Sequence, residues 1–507
     1  MTVLINTPTS GVGITPTLFG SVVLLGDSNT AANWAWGVAT SMTGSIGATT
    51  ATVVLTGHQF VANDLVKIDN TNQAECNGDF TVLSRVDANT FTVQLKAPLT
   101  VTAATGTIKV HNPKLVANNG FYTYWNLLQS GRLNLLHNAG MSGETTAQIL
   151  ARIPQDVIPY NPSIVTVLAG TNDVRTGVAT ATIIANLTNI YAVLLSKGIT
   201  VAALTIPPLG SGDANYNATT TQQIQDVNAF IKKYCLQNRG MVFIDCHAAI
   251  VNPTSEGGAA LAANLEDTLH FSPVGAYNIG VLLANAGSLQ VTPNNTLPTS
   301  AADTYLVNAA NKNVGPNPMF LTTATGPVGT FGGGGGVTEG SGAGTSVAKG
   351  WRVEASGTAT AVASLVARTV ANDGDALGNN QRFVLTAAAN NDSCAIKNID
   401  TFASQVEAGD QLYAECSFRL SAITGTPKRV NLSVNVTVGG VLYSTTVGYG
   451  SISNTLPTSN MSGVFRTPII TVPAGTVTKV EAVLFVQFPG AGNATVDVGR
   501  FHIRKVV

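Results

Sequence analysis

The sequence predicts a multidomain protein with α/β and all-β parts. A doubly wound parallel sheet would carry an inserted small β domain, followed by a C-terminal antiparallel β-sandwich. Three observations predict this fold class. Short apolar runs alternate with helical patterns up to about residue 290. Alternating Thr and Val residues interrupt that pattern at about 41–111. After residue 290, only strand-like runs separated by turn residues remain.

The parallel sheet is predicted from apolar runs that are short enough for strands and apolar on both faces. These runs are 20–26, 132–136, 163–169, 199–206 and 241–245. The helical patterns between them cover 144–153, 180–197 and 219–238. Ser142 or Thr145 is placed to cap the first of these helices. Sheets of this kind bind ligands at the carboxyl ends of their strands, so we searched those ends for reactive side chains.

These patterns predict a discontinuous α/β domain over 1–40 and 112–290, interrupted by an inserted β domain over 41–111. The alternative for the insertion is one long irregular loop, which is rare at this length in compact domains. A Thr/Pro/Asn-rich stretch predicts a linker at 291–300, before a β-sandwich over 301–507. The strands expected in the sandwich are 351–354, 382–386, 411–420, 429–437, 441–447, 466–472, 479–487 and 494–505.

Composition excludes several classes of partner. Charged residues make up 10% of the chain and the net charge is −1, so no electrostatic feature predicts nucleic-acid binding. No apolar run is long enough to predict membrane insertion. The first residues lack the pattern of a secretory signal, so we expect a cytosolic protein or one exported without such a leader. The 5 cysteines are too scattered for a disulfide framework, although a Cys394–Cys416 bridge stays open.

Four short segments carry residues suited to nucleophilic catalysis, each at or near the end of a predicted strand. They are Gly26-Asp27-Ser28, Asn138 to Gly143, Gly170-Thr171-Asn172-Asp173 and Asp267-Thr268-Leu269-His270. Each has an ordinary explanation when taken alone: a helix cap, a βα turn, an Asx-turn, or a capping Asp beside a surface His. Together they supply a hydroxyl, an imidazole, a carboxylate and amide donors, which is the set that acyl transfer requires.

With these four segments in this order, the chain resembles the SGNH/GDSL hydrolase family of carbohydrate-esterase type over roughly 18–40 and 112–290. The resemblance implies a flavodoxin-like parallel sheet. It implies that Ser28 is the nucleophile, His270 the general base and Asp267 the residue that orients His270. The backbone N–H groups of Ser28 and Gly140, with the side-chain amide of Asn172, would form the oxyanion hole.

Asp27 and Asp173 are expected to be structural, with carboxylates that brace the turns holding the nucleophile and the oxyanion-hole asparagine. We found no metal-binding or phosphate-loop motif, so neither a metal nor a cofactor is expected. His137 adjoins the glycine segment and is interpreted as a turn or surface residue. Trp125 is interpreted as a core residue, whereas Trp34 and Trp36 could equally pack in the core or stack on a sugar.

The β-rich parts carry a second, weaker resemblance, to small β domains of phage tail proteins and to sandwiches attached to tailspikes. The residues concerned are 57–93 in the insertion, and Asn317-Pro318-Met319-Phe320 with Trp351 near the sandwich start. This resemblance implies a bacteriophage tailspike or tail-fibre esterase that removes O-acetyl groups from capsule or O-antigen polysaccharide. We therefore expect a homotrimer in the virion, acting at the bacterial surface beside other tail or baseplate proteins; secretion is the alternative.

Two other functions stay open at this point. One is a non-catalytic glycan-binding adhesin that keeps the hydrolase scaffold. The other is a bacterial acetylxylan-type esterase with a binding module, which would share the chemistry but not the setting. The sugar, the acetylated position, the host and the role of the sandwich do not follow from the sequence.

Overall fold

The computed structural model describes residues 20–32, 37–112, 115–289, 297–300, 303, 314–315, 317–321, 330–332, 336–339, 347–399, 402–449, 456–457 and 460–506. Trp34, Trp36 and most of the predicted linker lie outside these residues. No helix in the described part of the chain is long and apolar enough to cross a membrane.

The described residues up to 289 contain thirteen strands and eight helices. The strands are β1 (Gly20–Gly26), β2 (Gly37–Val38), β3 (Ser41–Thr43), β4 (Thr50–Val54), β5 (Leu65–Thr71), β6 (Gly78–Arg85), β7 (Thr90–Gln94), β8 (Gly106–His111), β9 (Leu115–Ala117), β10 (Leu133–Gly140), β11 (Ile164–Leu168), β12 (Thr200–Leu204) and β13 (Met241–Ile244). The helices are α1 (Ser28–Ala31), α2 (Phe121–Leu128), α3 (Thr146–Asp156), α4 (Thr171–Arg175), α5 (Thr180–Ser196), α6 (Ala218–Gln237), α7 (Cys246–Ile250) and α8 (Pro273–Asn285).

The five predicted apolar runs form one parallel sheet in the order β10-β1-β11-β12-β13, which confirms the predicted parallel α/β sheet. Its faces are both covered, and successive residues of β1 face opposite layers. Val23 and Leu25 belong to a core with residues of α3, α5 and α6. Val22 and Leu24 belong to a core with residues of α2 and α8. The sheet is therefore wound on both sides, with β1 between the edge strand β10 and the middle strand β11.

The residues from β2 to β8 form a second sheet, antiparallel and seven-stranded, in the order β2-β8-β5-β6-β7-β4-β3. It has its own apolar core, beside which His58 stacks on Phe60 and meets Phe91 edge to face. In the sequence, this sheet lies between β1 and β10, which are neighbouring strands of the parallel sheet. The domain boundaries drawn from composition stay predictions.

The described residues after 289 contain thirteen more strands and one short helix. The strands are β14 (Thr330–Gly332), β15 (Gly336–Glu339), β16 (Trp351–Ser356), β17 (Thr360–Ala367), β18 (Asn379–Ala387), β19 (Ser393–Asn398), β20 (Gln411–Thr424), β21 (Arg429–Val438), β22 (Val441–Tyr449), β23 (Met461–Arg466), β24 (Ile470–Thr471), β25 (Val477–Gln487) and β26 (Gly492–Lys505). The helix is α9 (Val370–Asp373).

Most of these strands pair antiparallel within two sheets, ordered β14-β16-β19-β25-β21-β22-β9 and β15-β17-β18-β26-β20-β23 with β24 beside β20. The predicted strand 466–472 is divided, because Pro468 has no N–H for a ladder hydrogen bond and lies between β23 and β24. The expectation of a purely antiparallel sandwich is wrong at three pairs. The strands β14 and β16, β15 and β17, and β9 and β22 run parallel.

The sandwich does not pack as a separate body, because β9 from the first half of the chain completes one of its sheets. The buried Arg466 of β23 donates from Nη2 to the carbonyl oxygen of Leu133 in β10, at 2.6 Å. One continuous apolar core includes residues of α2, α8 and both sandwich sheets. All five cysteines are buried and free, so Cys394 and Cys416 form no bridge here.

Candidate active site

The candidate nucleophile stands where β1 turns into a helix. β1 ends at Gly26, Asp27 caps α1 by accepting the N–H of Asn29 at 3.0 Å, and Ser28 is the first helical residue. Ser28 is buried, with 6% of its surface exposed. Its backbone N–H has no hydrogen-bond partner among the described residues, as expected of a first helical N–H. That group is therefore available to an incoming oxygen.

Two glycines allow this turn to sit tightly against its neighbours. A Cβ at Gly26 would lie 2.3 Å from the carbonyl oxygen of Leu168 in β11. A Cβ at Gly140, the last residue of β10, would lie 2.1 Å from the backbone nitrogen of Ala31. Both distances are far below van der Waals contact, so the approach of α1 to β10 and of β1 to β11 requires glycine at these positions.

The structure brings Ser28, His270 and Asp267 together in one continuous line of contacts. Ser28 Oγ lies 3.0 Å from His270 Nε2, and His270 Nδ1 lies 2.7 Å from Asp267 Oδ2. A carboxylate can only accept, so Nδ1 carries the proton and Nε2 is left to accept the hydroxyl proton of Ser28. This is the geometry of a general base held by an acid and aimed at a nucleophile.

The second carboxylate oxygen of Asp267 fixes the turn itself. Oδ1 accepts the backbone N–H groups of Leu269 and His270, both at 2.7 Å. Burial opposes ionisation of Asp267, but the hydrogen bonds from the His270 side chain and from these two N–H groups outweigh it and lower its pKa. About half of the Asp267 side chain is exposed (55%) and His270 is 22% exposed, so exposure rises along the triad from the buried Ser28 to the acid.

The predicted oxyanion donors lie at the carboxyl ends of three adjacent strands. Gly26 of β1 pairs with Gly140 of β10 on one side and with Leu168 of β11 on the other. The carboxyl ends of β1, β10 and β11 therefore lie side by side, with Ser28, Gly140 and Asn172 at these ends or shortly after them. The Gly140 N–H donates to Asn138 Oδ1 at 3.1 Å. The Asn172 side chain donates to the Glu144 carbonyl oxygen at 3.0 Å, which leaves its second amide hydrogen for a ligand.

The two aspartates assigned to structural support make different contacts. Asp27 caps the helix of the nucleophile, and its complete burial raises its pKa to about 7, against the opposing hydrogen bond from Asn29. Asp173 reaches across to α3 instead of bracing its own turn. Its carboxylate accepts the backbone N–H of Thr146 at 2.8 Å and the Thr146 hydroxyl at 2.6 Å. It therefore links the Asn172 segment to the helix that follows the glycine segment.

Two residues that support the site did not emerge from the sequence. Asn29 is buried and accepts the N–H of Phe271, next to His270, at 3.1 Å. Arg152 of α3 donates to the Gly26 carbonyl oxygen at 2.9 Å and pairs with Glu144 at 2.5 Å. The only signal for Asn29 was a polar residue directly after the candidate nucleophile. Nothing local in the sequence pointed to Arg152, because its contact spans 126 positions of the chain.

The structure also shows where the histidine and tryptophan side chains considered in the sequence analysis lie. His137 is not a turn or surface residue. It lies inside β10, is 1% exposed and stacks on Tyr160. Trp125 is fully buried, and Trp351 packs on Phe501 while its ring N–H donates to the Asn317 carbonyl oxygen. Within the described ranges, no group of three or more His, Cys, Asp or Glu side chains could hold a metal ion.

Comparison with known proteins finds a family match over part of the chain. Residues 101–276 match the model of the GDSL-like Lipase/Acylhydrolase family. Over these residues the chain is therefore similar to that acylhydrolase family. The matched range includes Gly140, Asn172, Asp267 and His270. It begins after Ser28, which the inserted sheet separates from the rest of the domain. No curated protein matches the chain.

Solved structures that match part of the chain include a GDSL-like lipase from Bacteroides thetaiotaomicron, at 24% identity over 32% of this chain and 80% of that chain, with a TM-score of 0.29. A mutant of an acetyl-xylooligosaccharide esterase from Geobacillus matches at 16% identity over 53% of this chain and 96% of that chain, with a TM-score of 0.31. An acetyl xylan esterase matches at 19% identity over 32% of this chain and 90% of that chain, with a TM-score of 0.28.

Proposed function

We propose that this GDSL-like acylhydrolase domain is a serine esterase that removes O-acetyl groups from a bacterial surface polysaccharide. The observation that carries the proposal is the unbroken line of contacts from Ser28 Oγ through the His270 ring to the Asp267 carboxylate, at 3.0 and 2.7 Å. A serine hydroxyl becomes a useful nucleophile only when a positioned base takes its proton, and this arrangement supplies that base.

The reaction follows from the same geometry. Ser28 Oγ attacks the acetyl carbonyl carbon while His270 Nε2 takes the hydroxyl proton, and the carbonyl oxygen becomes negatively charged. The N–H groups of Ser28 and Gly140 and the amide of Asn172 stabilise that charge. The intermediate collapses when His270 returns the proton to the leaving sugar oxygen. A water molecule then attacks the acetyl-enzyme by the same route and releases acetate.

The surface position of the triad supports a large alcohol and a small acyl group. Asp267 is about half exposed, so the acid end of the triad faces solvent, beside the surface on which a polymer would lie. A polymer can therefore lie across the site while only the acetyl group reaches Ser28. The sandwich, which shares a core with α2 and α8, would hold the polymer at a fixed distance from the triad.

The biological setting is proposed from composition and architecture. A low charge content of 10%, two β-rich parts and a surface-exposed esterase site suit a bacteriophage tailspike or tail-fibre protein, acting as a homotrimer at the bacterial surface. Sedimentation of the full chain tests the assembly: a mass three times that of the chain supports the trimer, and a monomer contradicts it. Secretion as an acetylxylan-type esterase is the alternative setting.

The test of the activity compares p-nitrophenyl acetate with the octanoate ester, using wild type, Ser28→Ala and Ser433→Ala. Ser433 is a buried serine of the sandwich, so its variant controls for the loss of a hydroxyl away from the site. We expect hydrolysis of the acetate ester by wild type and Ser433→Ala only, and weak hydrolysis of the octanoate. Wild type as inert as Ser28→Ala would favour a non-catalytic, glycan-binding protein.

Acetate release from purified polysaccharides then tests the substrate class. Capsule and O-antigen preparations are compared with acetylated xylan under the same conditions. Preferential release from a bacterial surface polysaccharide supports the proposal. Preferential release from xylan would assign the enzyme to the acetylxylan class instead.

A further inference from the structure

A lysine of the inserted sheet reaches the glycine segment of the candidate active site. Lys67 lies in β5, in the middle of the inserted sheet, and only 4% of its surface is exposed. Its ammonium group donates to the carbonyl oxygen of Gly140 at 2.6 Å and also to the carbonyl oxygen of Asn138. Both acceptors belong to β10, an edge strand of the parallel sheet. The insertion thus touches the active-site backbone directly.

The charge of Lys67 is balanced inside the interface. Asp79 of β6 lies 3.9 Å from the ammonium group, and its other oxygen lies 3.0 Å from His137 Nε2 in β10. His137 Nδ1 in turn lies 2.7 Å from the Asp156 carbonyl oxygen at the end of α3. Burial lowers the pKa of Lys67, and Asp79 opposes that effect. Lysine is almost never this buried without a partner, so the pair is part of how the two sheets join.

The contacts of Lys67 fall on both sides of the predicted oxyanion donor. The Asn138 carbonyl belongs to the peptide that joins residues 138 and 139, and the Gly140 carbonyl to the peptide that joins residues 140 and 141. The peptide between these two carries the Gly140 N–H, which here donates to Asn138 Oδ1 at 3.1 Å, so an oxyanion would have to share or replace that hydrogen bond. Peptide units are planar, so fixing the planes on either side restricts the direction in which that N–H points. Glycine at position 140 would otherwise allow this segment unusual freedom.

We propose that Lys67 is a positioning residue for ester hydrolysis, holding the Gly140 N–H in the direction that the oxyanion requires. The inference rests on the proposed function and assigns the inserted sheet a part in the active site. An oxyanion hole works because its donors are already oriented when charge develops, and misplacing one raises the barrier without weakening substrate binding. The insertion would then be required for turnover even where it never touches the substrate.

The test replaces Lys67 by the uncharged, similarly long methionine. We expect Lys67→Met to lower kcat for p-nitrophenyl acetate by about 10- to 100-fold, less than the ~10²–10³ that follows loss of a donor, with KM changed less than about twofold. Lys96→Met is the matched control. Lys96 also links the insertion to α3, through Asp156 at 3.0 Å, but it is exposed and contacts no backbone of the glycine segment.

A second variant covers the case in which Lys67→Met does not fold because Asp79 is left buried and unpaired. The double variant Lys67→Met with Asp79→Asn removes both charges together. The inference predicts a similarly reduced kcat in this variant, with a thermal midpoint close to that of wild type. The inference would be overturned if the double variant, or a folded Lys67→Met, had the same kcat as Lys96→Met.

Hydrogen exchange separates failure of this inference from failure of the proposed function. Peptides covering residues 133–145 should exchange faster in the double variant than in wild type and Lys96→Met. This measurement does not depend on activity. If wild type hydrolyses no ester, the proposed function fails, and faster exchange still supports the hold of Lys67 on this segment. Unchanged exchange overturns the inference whatever the activity.

Discussion

Asn29 and Phe271 are joined by a hydrogen bond of 3.1 Å, from the Phe271 N–H to Asn29 Oδ1, although 242 positions separate them in the chain. Asn29 directly follows the candidate nucleophile, and Phe271 directly follows the candidate base. The Asn29 amide also lies 3.4 Å from the Leu269 carbonyl oxygen, on the other side of His270. One buried side chain therefore holds the base segment on both sides of the imidazole.

Asn29→Ala should reduce turnover more than its effect on stability would suggest. Without the amide, the segment around His270 loses its anchor to α1, so we expect kcat to fall by about 10- to 100-fold. The thermal midpoint should fall by the equivalent of about 1–3 kcal/mol, the cost of unsatisfied buried groups. The measurements are kcat for p-nitrophenyl acetate and thermal unfolding.

Asn398→Ala is the matched control for Asn29→Ala. Asn398 is a buried sandwich residue that accepts the Ala482 N–H at 2.7 Å and donates to the Val480 carbonyl oxygen at 3.0 Å. Asn398→Ala therefore loses the same two kinds of hydrogen bond as Asn29→Ala, one accepted from a backbone N–H and one donated to a backbone carbonyl, but in the sandwich. If both variants lose stability but neither loses kcat, Asn29 has no positioning role.

Asp267→Asn separates the two functions of that carboxylate. The asparagine oxygen can still accept the backbone N–H groups that Oδ1 binds, so the turn should survive, whereas its amide cannot accept from His270 Nδ1. We expect a fall in kcat on the order of 10²–10³-fold, below the ~10⁴ of a buried triad aspartate, because water can reach this exposed site. A kcat within about twofold of wild type, measured at pH 8, would remove Asp267 from the mechanism.

Asn172→Ala should lower kcat by about 10²–10³-fold, the usual effect of losing one oxyanion donor, while the thermal midpoint changes little. The side chain also donates to the Glu144 carbonyl oxygen, which gives a competing structural explanation. Measuring kcat and unfolding on the same preparation decides between them. A variant that unfolds outright, or one that keeps full turnover, would show that Asn172 does not act as a donor.

Asp27→Asn should change how stability depends on pH. Burial raises the pKa of Asp27 from 3.8 to about 7, so the folded protein binds the proton more tightly than the unfolded chain does. Stability therefore falls as pH rises from about 4 to 7, and is constant above that range with respect to this group. The asparagine has no charge to desolvate. The thermal midpoint of Asp27→Asn minus that of wild type should therefore increase from pH 5 to pH 8, by the equivalent of about 2–3 kcal/mol. A constant difference would contradict the burial argument.

The parallel sheet could be predicted because its strands have a recognisable pattern in the local sequence. A strand buried on both faces is a continuous apolar run, and β1, β11 and β12 each overlap one. The edge strands β10 and β13 are only partly buried, and β10 extends to Gly140, beyond its predicted run. In the sandwich, four strands were missed: β14, β15, β17 and β19. β17 exposes alternate residues and contains small alanines, and β19 combines Ser, Cys and Lys with only one large apolar residue, so neither shows a strong pattern.

The reactive residues of the candidate site could be predicted because they lie in short contiguous motifs, Gly26-Asp27-Ser28 and Asp267 to His270. The supporting contacts could not, because they join residues far apart. Lys67 reaches Gly140 over 73 positions, and His137 was misassigned to the surface because its partner, Asp79, lies in the insertion. Local pattern carries no information about such pairs. They follow only once the two sheets are in contact.

Covalent labelling with a small alkyl phosphonate ester is the most direct test that Ser28 is a nucleophile activated by His270. Phosphonates react with an activated serine and leave a stable adduct that intact mass and peptide mapping can locate. We expect one adduct per chain, on Ser28, formed at least about 100-fold more slowly in His270→Ala and absent in Ser28→Ala. An unlabelled wild-type protein, or an adduct that persists in Ser28→Ala, would contradict the assignment.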